Sequence, residues 1–321
     1  MPDRMLKPGD VVEVRPGPEI LETLDKTGAL DGVPFMPEML QYVGRRFTVY
    51  KRAEKVCDPS GSRRMRDTVL LDDLRCDGAA HGGCQAECRF YWKEAWLRRV
   101  DTAAPAAAPP PVFIPLAEVA RDTVRPLDLP SGLDANDIYR CQATEATTKT
   151  EQLRVRQPGQ YVREIRGGNV TVSRFLRVGA RALWGSVGHR VGFKAALPMK
   201  LAGKAAVKGE QLNLQPGEWV QVKSAEEIGL TLDETGRNRG MKFSPEMVPA
   251  CGQVFQVKGR VNRIIDEPSG KMIRFKAECI ILEGNVCNGD YSPGRWFCPR
   301  ELYPYWREAW LRRVDPPVPS S

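Results

Sequence analysis

The chain has 321 residues, of which 42% are hydrophobic and 27% charged, and its net charge is +8. This balance excludes fibrous and disordered classes, and the length favours more than one domain. No apolar run approaches the roughly eighteen residues of a membrane helix, and residues 1–14 lack the apolar core of a signal peptide, so a cytoplasmic, thiol-reducing setting is expected.

In chain order, "PGDVVEV" reads as a Pro-Gly turn and a short strand, and "PEILETLD" as a short helix. The strand "RRFTVYKR" follows a glycine, a hairpin is expected around "DPSGS", and "DTVLLDDLRC" is the next strand. The motif "YWKEAWLRRVD" closes the segment. The whole series then returns. "PGEWVQVKSAEEIGLTLDETG" (216–236) lies over "PGDVVEVRPGPEILETLDKTG" (8–28) at an offset of 208, and "YWREAWLRRVD" (305–315) repeats residues 91–101 at an offset of 214. Two distant copies of one unit indicate a duplicated domain, not a solenoid. Five or so short strands in about 95 residues fit a small barrel. The expected fold is mainly β: two duplicated small barrels with Cys-rich loops, joined by a partly helical basic connector. The expected boundaries are 1–101 for the first barrel, 102–112 for a Pro/Ala linker, 113–210 for the connector, 211–315 for the second barrel and 316–321 for a disordered tail.

The chain holds nine cysteines, which in a reducing compartment read as metal ligands before they read as disulfides. The first copy holds Cys57, Cys76, Cys84 and Cys88, with His81 between; the second holds Cys251, Cys279, Cys287 and Cys298. Cys84 aligns with Cys298 and Cys76 with Cys287, while the other two of each copy do not align. Four soft ligands in each copy predict one metal in each. Zinc in two closed tetrahedral sites is the first expectation, and an iron–sulfur cluster the alternative, since thiolates hold both. The spacing C-x7-C-x3-C follows no ferredoxin pattern. His81 is open to three roles: ligand, hydrogen-bond partner of a sulfur, or loop surface. The ninth cysteine, Cys141 in "YRCQATE", has no cysteine neighbour and reads as a small buried side chain, with a thiol nucleophile as the alternative.

The paired tryptophans of each closing motif, four residues apart, suggest one helical turn packed against the metal loop. The alternative is an aromatic surface for nucleic acid beside Arg98, Arg99, Arg312 and Arg313. Residues 151–210 carry twelve Lys/Arg against three Glu, so the positive charge of the chain is concentrated there. Within it, "NVTVSRFLRVGARALWGSVGHR" is amphipathic at helical spacing. Val172, Phe175, Leu176, Leu183 and Val187 make the apolar face, and Arg174, Arg177 and Arg181 the polar one. Those arginines suit an anionic partner, either a membrane surface or nucleic acid; a plain docked helix is the bland alternative.

The opening "GDVVEVR" of each copy resembles the first strand of SH3-like barrels, as in KOW modules and the β subunit of nitrile hydratase. The combination "LRCDGAAHGGCQAECRFYWKEAWL", "YRCQATE" and "VCNGDYSPGRWFCPRELYPYWREAWLRRV" resembles an uncharacterised bacterial protein family for which no activity is implied. No GxGxxG, Walker, GxSxG or HExxH motif is present. A metal-binding, two-module accessory or binding protein is therefore expected. The alternatives are a metalloenzyme or iron–sulfur protein of a specialised pathway, or a module that binds nucleic acid or anionic membranes; the partner is unknown.

Overall fold

The structure, a computed structural model, describes residues 5–58, 61–100, 110–125, 137–191, 209–292 and 294–317. Most of the expected linker 102–112, the lysines at 194, 200, 204 and 208, and residues 318–321 lie outside the described residues, as do the side chains of Leu183 and Val187.

The chain is built of small antiparallel sheets with short helices. It divides into two compact units. The first takes residues 1–174, 263–273 and 294–301; the second takes 175–262, 274–293 and 302–321. These groupings cut across the boundaries drawn from the repeat, because two short stretches of the second copy belong to the first unit.

In the first unit the main sheet runs in the order Trp92–Lys93, Thr68–Leu71, Arg46–Arg52, Val11–Val14, Leu97–Arg99. In the second, the order is Ile280–Leu282, Val254–Arg260, Trp219–Val222, Leu311–Arg313. Apart from the added edge strand the orders are the same, and so are the registers. Val12 faces Phe47 on one side and Arg99 on the other; Val220 faces Phe255 and Arg313. Both long strands break register at equivalent points, between Val49 and Lys51 and between Val257 and Gly259. Among the described residues the two ends of each order are not paired, so neither sheet closes into the expected barrel. The expected hairpins form at Lys55–Asp58 with Gly61–Arg64, and at Arg263–Ile265 with Met272–Arg274.

The alternation of the strands buries Val12 and Val14 in one copy and Val220 and Val222 in the other. The closing motif differs from expectation. Glu94–Trp96 and Glu308–Trp310 are single 3₁₀ turns ending in a strand, not turns of α-helix. Both tryptophans of each motif are still core, with no exposed surface. Phe35 meets Trp96 edge-on at 5.3 Å, and Phe243 meets Trp310 at 5.4 Å. The indole N–H of Trp96 donates to Thr23 Oγ1 at 2.9 Å, and that of Trp310 to Thr231 at 2.9 Å. Arg52 reaches the Leu6 carbonyl and Glu94; Arg260 reaches the Leu214 carbonyl and Glu308.

The amphipathic segment forms a helix, Val172–Val191, but with another face docked. Among its described side chains Val178 is the buried one, while Val172 and Leu176 are exposed. In the first unit Arg174 lies over the Phe297 ring at 5.8 Å; in the second, Arg181 lies over Tyr291 at 4.3 Å. The arginine stem and the flat guanidinium pack on rings as well as facing water, which simple apolar counting does not register. Arg177 is exposed. Among the described residues no helix is long and apolar enough to cross a membrane.

Candidate metal centre

The loop from Cys76 to Cys88 is closed at its base. Cys76 N–H donates to the Cys88 carbonyl at 2.8 Å, beside a bridge between Arg75 and Arg89. The loop turns back on itself through Gly78, whose carbonyl accepts from His81 N–H at 3.1 Å and Gly83 N–H at 2.9 Å. Gly78 has φ +70°, and a Cβ there would sit 2.1 Å from the Cys84 carbonyl oxygen. Only glycine permits this turn and this approach.

Cys141 comes from a remote part of the chain. It caps the N-terminus of the helix Gln142–Lys149, and the N–H groups of Ala143 and Thr144 point at its sulfur. The neighbouring Gln142 fixes that helix against the sheet. Its amide accepts from Tyr91 N–H at 2.7 Å and donates to the Tyr91 and Pro34 carbonyls at 2.9 Å each.

Cys76, Cys84, Cys88 and Cys141 line one cavity of about 50 Å³, with His81, Ile265, Glu267 and Arg300. Their sulfurs already receive N–H donors: Gly78 on Cys76 at 3.4 Å, and Ile265 and Ala86 on Cys84, the first at 3.4 Å. The sulfurs are nevertheless pushed up by burial, Cys88 to about 12 and Cys141 to about 11, with Cys76 and Cys84 also raised. Each thiolate raises its neighbours further: Cys88 acts on Cys76, Cys84 on Cys88 and Cys141, and Cys141 on Cys76 and Cys88. Burial and mutual repulsion between thiolates both favour the neutral thiols, although several of the sulfurs receive amide donors suited to thiolates. Arg300, 4% exposed, supplies one positive charge against Cys88, and it is itself held by Glu267 at 3.0 Å.

His81 is buried in this wall. Its Nε2 lies 3.5 Å from Cys76 Sγ, and its Nδ1 lies 3.0 Å from Glu38 Oε1. The Nδ1 contact lies off the hydrogen-bond line; the aligned bond to Glu38 Oε1 comes from Ala80 N–H at 3.0 Å. Glu38 is held below its ordinary value: burial acts upward, but the His81 contacts and backbone N–H groups, Ala80 among them, together outweigh it. Glu38, Cys76 and His81 offer three ligand-type atoms within 4.8 Å of one another, the one such group among the described residues. The order thiol–imidazole–carboxylate resembles a nucleophile with its base, yet burial drives the Cys76 thiol up, away from the reactive thiolate.

Of the residues expected to bind metal, Cys76, His81, Cys84 and Cys88 come together. Cys57 does not join them. It lies on the hairpin strand Lys55–Asp58, where its N–H donates to Cys298 Sγ at 3.1 Å. Cys251, Cys279 and Cys287 belong to the second unit, without Cys298. Cys287 N–H donates to the Leu302 carbonyl at 2.8 Å, the counterpart of the Cys76–Cys88 bond, but leucine stands where Cys88 would be. Cys279 is buried and pushed up to about 12 by that burial, and no other cysteine contributes to its shift. Cys141, Glu38, Glu267 and Arg300 are the members of the site that the repeat did not reveal. For Cys141 the sequence signal was its place just before a helical run, where amide groups favour an anionic sulfur. No family model matches the chain, and no curated protein or solved structure matches it.

Proposed function

We propose that the first unit holds an iron–sulfur cluster on Cys76, Cys84, Cys88 and Cys141, and that the protein is a cluster-bearing accessory or electron-transfer module. One observation carries this reading. The four sulfurs line a single cavity, yet among the described residues no three of them lie within 4.8 Å of one another. A tetrahedral zinc ion, with Zn–S bonds of about 2.3 Å, draws its four sulfurs to about 3.8 Å from one another. A cluster spreads its cysteines over several irons, so its four sulfurs stand farther apart than those of a zinc site. When bound, such a cluster supplies one-electron transfer. The chain's own part is to hold the sulfurs. Gly78 and Ile265 donate N–H groups, His81 braces Cys76, and Arg300 offsets negative charge. Hydrogen bonds and charges of this kind set the potential of a cluster. Four thiolates leave no protein position open, which favours electron transfer over substrate binding.

The test is metal and sulfide analysis of the anaerobically purified full chain, with visible and electron paramagnetic resonance spectra. One cluster per chain is expected, lost in Cys141→Ala and retained in Cys251→Ala. A colourless protein carrying stoichiometric zinc, or a Cys141→Ala variant with full iron content, overturns the proposal.

A further inference from the structure

Cys57 and Cys298 do not line the cavity; they meet each other instead. The Cys57 N–H donates to Cys298 Sγ at 3.1 Å, and the Cys298 thiol is the largest influence on the ionisation of Cys57. Their shared position is built, not incidental. The Cys57 carbonyl accepts from Arg300, and Ser62, opposite Cys57 in the hairpin, donates its hydroxyl to the Gly294 carbonyl. The segment carrying Cys298 is tightly turned: Phe297 and Glu301 both adopt left-handed backbone, φ +64° and +47°. The partners are also unequal. Cys57 is half-buried, whereas Cys298 is 4% exposed. The hydrogen bond from Cys298 lowers the Cys57 thiol below its ordinary value, helped by Arg300 and Arg295, while burial raises Cys298 well above its own.

We infer that Cys57 and Cys298 form a second thiol site, a reversible dithiol–disulfide pair that exchanges with low-molecular-weight disulfides, with Cys57 as the attacking sulfur. The Cys57 thiolate attacks one sulfur of the small disulfide, whose S–S bond breaks and releases a thiolate. Cys298 then attacks the Cys57 sulfur of the mixed disulfide. A second small thiolate leaves and takes the Cys298 proton. Two protein thiols are oxidised and one disulfide is reduced to two thiols.

The experiment treats the anaerobically purified full chain with glutathione disulfide across pH 5–10, quenches by alkylation and maps the peptides by mass spectrometry. A Cys57–Cys298 bond that dithiothreitol reverses is expected, with metal content unchanged. In Cys298→Ser the glutathione adduct should accumulate on Cys57. In Cys57→Ser, adduct at Cys298 should form at least tenfold more slowly. The rate midpoint should fall below the value of about 8.5 for a free cysteine. The wild-type map needs no variant to fold. Alkylation of both residues after treatment, a first adduct on Cys298, or a midpoint at or above that of a free cysteine overturns the inference. None of these results depends on which metal the cavity binds.

Discussion

At the scale of single residues, Glu164 is the clearest case of a side chain whose charge is set by burial. It is 2% exposed on the helix Gly159–Arg166, and its Oε2 accepts from Asn169 Nδ2 at 2.7 Å. Burial pushes it up to about 7, against the opposing pull of Lys55 and Asn169. Its folded value therefore exceeds the unfolded one, and the folded state holds the extra proton. The stability this group confers is fully present below about pH 4.5 and is lost as pH rises through 7. The melting temperature of wild type should fall between pH 5 and 7.5 by more than that of Glu164→Gln. The effect amounts to a few kcal/mol, since each tenfold gain in proton affinity on folding is worth about 1.4 kcal/mol. Parallel pH curves for the two proteins would refute it.

At the scale of elements, the loop 76–88 decides whether four sulfurs meet. It has almost no regular structure and relies on the turn at Gly78. Alanine there combines a strained positive φ with a Cβ 2.1 Å from a backbone oxygen, which no side-chain rotation relieves. Gly78→Ala should abolish iron incorporation while the melting of the second unit is unchanged. Iron analysis with two-transition calorimetry checks it; full iron content in the variant would count against the loop's role. Gly83→Ala makes a useful comparison, because its Cβ meets nothing closer than an arginine nitrogen at 4.0 Å.

At the scale of the whole molecule, the two sequence copies and the two compact units are different divisions. The far wall of the cavity comes from Ile265, Glu267 and Arg300, late in the chain. A protein truncated after Asn262 keeps all four proposed ligands yet loses the Ile265 N–H bond to Cys84 and the Arg300 charge. It should bind iron at no more than about a tenth of the full-length level under the same reconstitution. Full iron loading of the truncated chain would show that the first copy is self-sufficient.

The sequence by itself determined the duplication, the order of short strands, the buried tryptophans and the concentration of metal-ligand chemistry around residues 76–88. Each of these rests on local pattern: alternation, turn residues, or spacing within a dozen positions. The tertiary structure decided which cysteines meet. Cys57 lies nearer in sequence to the loop than Cys141 does, yet chain folding places Cys141 in the cavity and Cys57 beside Cys298. It also decided which face of the helix Val172–Val191 docks, because Arg174 and Arg181 pack on aromatic rings that lie more than a hundred residues away. Pairings at such separation depend on the sum of many weak contacts, and no short-range pattern encodes them.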